Sequence, residues 1–224
     1  MGGLSRHLED SRVVPAVPWG LVVPVKRLAL AKTRLAAYGD VARQDLALAF
    51  AVDVVTVALG TPGVAQVLVV TDDERAAGAL TAVGARVVAD SPDAGLNPAL
   101  EHGAELLRAA VDAGTDVGVA TLSADLPALQ PAELAAALSA VPAGGRAFVA
   151  DAAGTGTTLL AAAPGIRLAP GYGPGSRAAH LASGALELVG APGLRLDVDT
   201  PEDLLAALLL GVGAATAAVA ARLA

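Results

Sequence analysis

The sequence predicts a single-domain α/β fold, a mainly parallel sheet flanked by helices on both faces. Three observations carry that reading. Short valine-rich runs alternate along the chain with longer segments of helical periodicity. The runs are continuously apolar rather than alternating, so the strands they form are buried on both sides. At 224 residues, 54% hydrophobic and 17% charged, the chain can fill one sizeable core. No internal repeat or change of composition marks a second domain.

Residues 1–18 mix polar residues and prolines without periodicity and lack the apolar stretch of a signal peptide, so they are expected to be a flexible extension. The domain is expected over 19–224. Its strands are expected at Gly20–Val25, Gln66–Thr71, Ala85–Ala89, Val117–Leu122, Ala147–Ala150, Thr157–Ala161 and Leu194–Val198. Asp40 is expected to cap a long helix that runs to about Leu59. Asn97 and Pro98 open another that reaches about Ala113, and Pro131 with Glu133 opens a third. Thr200, Pro201 and Asp203 supply a cap, a first-turn proline and an N3 acid for a helix after them. Leu204 to Ala221 is uncharged and long enough to cross a bilayer, but Gly211 and Gly213 interrupt it and no aromatic belt flanks it. Two short packed helices are the better reading, and the protein is expected in the cytoplasm.

The formal net charge of −7 and an aromatic content of 2% argue against a nucleic-acid surface, which needs a basic face or a stacking platform. With no cysteine there is no disulfide, thiolate metal site or cysteine nucleophile. A small anionic ligand in a local cationic pocket fits this composition.

In such sheets ligands gather at the carboxyl ends of the strands. After the first strand, Lys26, Arg27, Lys32 and Arg34 crowd together, and Lys26 and Lys32 are the chain's only lysines. Point-charge ammonium groups beside an arginine suit a polyphosphate, although a solvated basic turn explains the segment taken alone. After the central strand stands Asp125, and the last expected strand carries Asp197 and Asp199, whose side chains share a face in an extended chain. Carboxylates on two such segments suit magnesium, a hard cation that keeps waters and substrate phosphates. A helix cap or solvated turn accounts for any one of these acids singly. Gly154–Thr158 and Gly171–Arg177 offer close-approaching amides and hydroxyls for an oxyanion. Neither has the spacing of a P-loop or dinucleotide fingerprint. His7, His102 and His180 show no metal-ligand spacing. His102 reads as a surface or boundary residue, His180 has no assigned role, and Asp53 reads as boundary or solvent-facing.

Taken in order, Pro24-Val25-Lys26-Arg27-Leu28 with Ala31-Lys32-Thr33-Arg34-Leu35, Ala124-Asp125-Leu126-Pro127, Gly154-Thr155-Gly156-Thr157, Gly173-Pro174 with Ser176, and Asp197-Val198-Asp199-Thr200-Pro201 resemble one family. It is the guanylyltransferase family of coenzyme F-420 biosynthesis, acting on phosphoenolpyruvate or 2-phospho-L-lactate. The resemblance spans about Trp19 to Ala220 and is nearest the phosphoenolpyruvate-using members. It implies a nucleotidyltransferase-like, Rossmann-like fold, GTP as donor and a small phosphorylated three-carbon acid as acceptor. It also implies acceptor binding by Thr157, Gly173 and Ser176, and magnesium near Asp125, Asp197 and Asp199. Lys26, Lys32 and Arg34 are expected on the triphosphate, Arg27 towards solvent, and Asn97 near a ribose or base. Gly175 and Arg177 depart from the pattern, which leaves 3-phosphoglycerate open as an acceptor. A sugar-phosphate nucleotidyltransferase and a non-catalytic nucleotide-binding protein are the rival readings. The expected partners include no nucleic acid and no membrane, and the expected state is monomer or homodimer.

Overall fold

Valine and leucine are stiff or bulky side chains that pack well on a pleated surface, and the chain places them where a sheet is buried on both faces. In the computed structural model, residues 17–92, 94–110 and 116–223 are described. The strands are β1 (Trp19–Pro24), β2 (Val64–Val70), β3 (Arg86–Val88), β4 (Gly118–Leu122), β5 (Arg146–Ala150), β6 (Thr157–Ala162) and β7 (Leu186–Leu188). They form one sheet in the order β3-β2-β1-β4-β6-β5-β7. The pairings among β3, β2, β1 and β4 are parallel, as is β5 with β7, whereas β6 runs antiparallel to both β4 and β5.

The helices are α1 (Asp40–Gly60), α2 (Glu74–Ala82), α3 (Leu96–Ala109), α4 (Pro131–Ser139), α5 (Ser176–Ala182), α6 (Pro192–Arg195), α7 (Pro201–Leu210) and α8 (Ala214–Ala220). Alternate residues of β1 feed opposite layers. Leu21 and Val23 share one buried cluster with Val54 and Val55 of α1, while Val22 joins Leu100 and Leu107 of α3 on the other face. Continuous apolar strands thus do mean two covered faces. Gly103 lets α3 approach closely, since a Cβ there would stand 2.8 Å from Val22. A third cluster packs α7 and α8 onto Phe50 and Leu46 of α1.

Six expected strands form within two residues of their expected ends. The seventh does not. Leu194–Val198 divides into the end of α6 and an extended segment, and the remaining strand is β7, ahead of it. Pro192 favours a helical first turn, and Gly193 packs so closely that a Cβ there would stand 2.4 Å from the Ala128 carbonyl oxygen. Leu194 and Val198 are nonetheless fully buried, so the apolar alternation records burial rather than a strand. Asp40 is the first helical residue of α1 after Gly39, not its cap. The helix opened by Asn97 and Pro98 ends at Ala109, and the expected extension to Ala113 reaches residues outside those described, as does most of the 1–18 extension. The two short terminal helices form as α7 and α8. Among the described residues, no helix is long and apolar enough to cross a membrane.

Candidate active site

The chain leaves β1 at Pro24 and turns through two 3-10 turns, Leu28–Leu30 and Thr33–Tyr38, before α1. Proline-free turns of this kind leave carbonyls unpaired. Arg43 of α1 answers them, donating to the carbonyls of Leu28, Ala29 and Ala31 while itself nearly buried. One rigid planar guanidinium with five donors can hold several carbonyls at once. Asp73 accepts from the Leu28 amide at 2.9 Å and fixes the other side of the loop. Arg43 and Asp73 carried no visible motif in the sequence.

That scaffold presents Lys32 at φ 52°, ψ 43°, a left-handed conformation that a non-glycine residue adopts at a cost of about 1–2 kcal/mol. Its side chain is only 10% exposed and its Nζ lies 2.5 Å from Asp125 Oδ2 and 2.6 Å from Asp199 Oδ1. Burial pulls the Lys32 pKa down, but Asp125 and Asp199 outweigh it and hold the ammonium above the ordinary lysine range. Burial likewise opposes ionisation of Asp199, and Lys32, with Arg34 and Lys26 behind it, keeps that carboxyl below the usual range. Arg34 approaches Asp199 at 3.9 Å and is largely exposed. Arg27 turns away to Asp72 at 3.8 Å, in line with a solvent-facing role.

Asp125 lies just beyond the end of β4. Its carbonyl accepts from the Val198 amide at 3.0 Å, which ties the extended 196–199 segment beside it. Val198 points into the core while Asp197 and Asp199 flank it, so the two acids reach the site from an extended segment without being in a strand. Asp199 is braced by its own amide, which donates to Asp203 Oδ2 in the capping box of α7. Burial, reinforced by Asp125 and by Asp151 and Asp199, pushes the Asp197 pKa up to about 6. The result is a cleft of about 420 Å³, lined among others by Lys26, Lys32, Arg34, Ser123, Asp125 and Asp199. It sits at the carboxyl ends of β1 and β4, where the topology leads a ligand to be sought.

The two glycine-rich loops meet next to this cleft. The Ser123 amide donates to the Thr158 carbonyl at 2.8 Å, which sets the start of β6 against the end of β4. Asp151 accepts from the amides of Thr155 and Gly156, and Arg177 donates its amide to the Thr155 carbonyl. Thr157 and Ser176 are both buried, and the Ser176 amide donates to the Gly173 carbonyl at 3.1 Å. Gly173 has φ 143° and Gly175 φ 74°, values that glycine alone accepts readily. The Arg177 guanidinium makes a two-pronged pair with Glu187 at 2.8 and 3.0 Å, so it locks the loop to β7 rather than facing a ligand.

His180, without a role on sequence grounds, is fully buried and joins the two loops. Its Nδ1 lies 2.9 Å from Thr157 Oγ1 and its Nε2 accepts from the Gly171 amide at 3.0 Å. Asn97, expected near a ribose or base, instead holds the Tyr172 backbone, donating to its carbonyl at 2.9 Å and accepting from its amide at 2.8 Å. Asp53 is buried rather than solvent-facing and accepts from the amides of Ala215 and Thr216 at the start of α8. No side-chain spacing could have revealed these three, because Asn97, Asp53 and His180 each hold backbone groups, most of them distant in sequence. His102 is half-buried on α3 and bounds a separate shallow groove, in keeping with a boundary position.

A mainly parallel sheet with cations and carboxylates converging at its carboxyl edge defines a nucleotidyltransferase. Solved structures agree on the fold. A nucleotidyl transferase from Methanothermobacter superposes with a TM-score of 0.56 at 22% identity, covering 84% of this chain and 95% of its own. A 4-diphosphocytidyl-2C-methyl-D-erythritol synthase gives 0.54 at 16% identity, covering 87% and 98%. The family model described as guanylyl transferase CofC like matches residues 20–223, and the chain belongs to that family. It is 58% identical over 207 residues to the phosphoenolpyruvate guanylyltransferase of Thermomonospora curvata, covering 92% of this chain and 90% of the relative. It is 59% identical over 208 residues to that of Streptomyces coelicolor, covering 92% and 97%.

Proposed function

We propose that the protein transfers a guanylyl group from GTP to phosphoenolpyruvate, in the cytoplasm, as a step of coenzyme F-420 biosynthesis. The observation that carries this reading is the single cleft in which Lys26, Lys32 and Arg34 face Asp125 and Asp199. The substrate named for the close relatives and the resemblance of the loop motifs supply the acceptor. An acceptor phosphate oxygen attacks the α-phosphorus of GTP, a new P–O bond forms, the bond from the α-phosphorus to the bridging oxygen breaks, and pyrophosphate leaves. The acceptor oxygen is already anionic, so no base is needed to make the nucleophile.

The obstacle is repulsion between two anions. At 4 Å, like charges repel by about 4 kcal/mol at an intermediate dielectric. Lys26, Lys32 and Arg34 offset that repulsion along the triphosphate, and their fixed positions supply orientation. Thr157, Gly173 and Ser176 hold the three-carbon acid.

The acids also suit magnesium. Asp125 Oδ1 is buried without a hydrogen-bond partner, an orphaned acceptor of the kind a cation satisfies. Magnesium takes one or two carboxylates and completes its shell with phosphates and water, so a pair of acids suffices for it. Asp125 and Asp199 would hold it, with Asp197 alongside. Magnesium, when bound, supplies positive charge against the donor and acceptor phosphates. With those carboxylates taken up by a cation, the Lys32 ammonium would be available to phosphate oxygens.

The test is to incubate the protein with magnesium and GTP and each of phosphoenolpyruvate, 2-phospho-L-lactate and 3-phosphoglycerate, following pyrophosphate, then repeat with ATP. Release with GTP and phosphoenolpyruvate is expected to dominate. Equal release with no acceptor, or none with any of the acids, would overturn the reading.

A further inference from the structure

We propose that His180 is a positioning residue that fixes the Thr157 hydroxyl as a hydrogen-bond donor towards the anionic acceptor. The proposal rests on the reading of Thr157 as an acceptor-binding residue. Gly171 carries a backbone N–H, which can only donate. It lies 3.0 Å from His180 Nε2, so that nitrogen carries a lone pair and the proton of the neutral ring sits on Nδ1. Nδ1–H then donates across 2.9 Å to Thr157 Oγ1. A threonine hydroxyl has one hydrogen and two lone pairs; with a lone pair engaged by the histidine, its own hydrogen is free to point at a ligand. An oxyanion, which can only accept, matches that polarity.

The surroundings keep the ring in this state. His180 is fully buried, edge-on to Tyr172 at 5.3 Å between ring centres and tilted against Phe148 at 5.6 Å. Arg146 is the charged group that acts on it and disfavours the imidazolium. The Tyr172 hydroxyl is itself engaged by Thr121 Oγ1 at 2.6 Å, leaving the ring as packing. The Gly171 and Thr157 contacts also come from the two loops that would surround the acceptor, so one side chain sets the polarity of one loop by reading the backbone of the other.

Two substitutions separate the two contacts. His180→Asn puts an amide near the Nδ1 position and retains a donor to Thr157; His180→Gln reaches the Nε2 position, satisfies Gly171 and leaves Thr157 without its donor. His180→Gln is expected to raise KM for phosphoenolpyruvate roughly tenfold, the scale of one hydrogen bond to a charged group, with KM for GTP unchanged. His180→Asn is expected to stay within about threefold of wild type, since that bond is kept. Equal effects of the two, or a change in KM for GTP alone, would overturn the proposal. Nitrogen-15 NMR of labelled histidine in the unmutated protein should show protonated Nδ1 and bare Nε2; the opposite tautomer would overturn it without recourse to any variant. Thr157→Val separates the underlying readings. If it leaves the phosphoenolpyruvate KM unaltered, the acceptor role of Thr157 falls and the proposal with it. If it raises that KM while His180→Gln does not, only the role of His180 falls.

Discussion

Lys32 concentrates the physics of the site in one residue. It occupies a strained backbone conformation and its ammonium is shared between Asp125 and Asp199, so either carboxylate alone still pairs with it. Removing one acid should therefore disturb turnover more than folding. Asp125→Asn is expected to lower turnover by about 10²- to 10³-fold, with a thermal unfolding curve close to wild type, read by pyrophosphate release and calorimetry. Asp197 behaves differently. Its folded pKa lies above its unfolded one, so the folded state binds the extra proton between about pH 4 and 6 and loses stability as pH rises through that window. Asp197→Asn should raise Tm at pH 7.5 in metal-free buffer, with the gain shrinking towards pH 4. His180 has the opposite sign. Burial, aided by Arg146, pushes its pKa down to about 4, so stability is intact above the unfolded value and declines as pH falls from about 6.5 towards 4. The linked loss approaches roughly 3 kcal/mol at pH 4, and His180→Asn should flatten that slope in denaturant titrations. The cations and Asp125 were legible in the sequence because they follow strand ends, and Asp197 and Asp199 because they alternate with Val198 in an extended segment; Arg43, His180 and Asn97 were not, because the backbone groups they hold carry no side-chain pattern to read.

At the scale of elements, continuous apolar runs identified the buried strands, and a proline with a following acid marked α4 and α7. The one misread strand shows the limit. Leu194, Leu196 and Val198 alternate like a strand, yet Pro192 opens a helical turn at its first position, and alternation alone does not distinguish the two. The short helices α2 and α5 were also unmarked, α5 because its start, Ser176, lies inside a glycine-rich turn. Asp53 belongs at this scale too. It is a buried carboxylate on α1 that accepts two amides from the first turn of α8, so it joins the two ends of the domain. A Cβ on Gly213 would stand 2.2 Å from its Cγ, which leaves no room to adjust. Asp53→Ala should cost about 2 kcal/mol, by loss of a charged cap, measured by urea unfolding with activity per folded molecule retained.

Across the whole molecule, a net charge of −7 surrounds one cationic cleft. That arrangement discourages polyanions with large footprints and admits compact ones. Magnesium–GTP at 100 times its Kd should stabilise the fold by about 2.7 kcal/mol and raise Tm by roughly 5–10 °C, and raised ionic strength should reduce the shift. The reversed direction of β6 has its own consequence. In a wholly parallel sheet every strand starts on the far edge, whereas here the 151–156 hairpin follows β5 and returns the chain directly into β6, so Thr157, the first residue of a strand, lies on the working edge. If Thr157, Gly173 and Ser176 hold the acceptor as proposed, exchanging residues 151–177 between relatives should retune acceptor preference while leaving donor preference as it was.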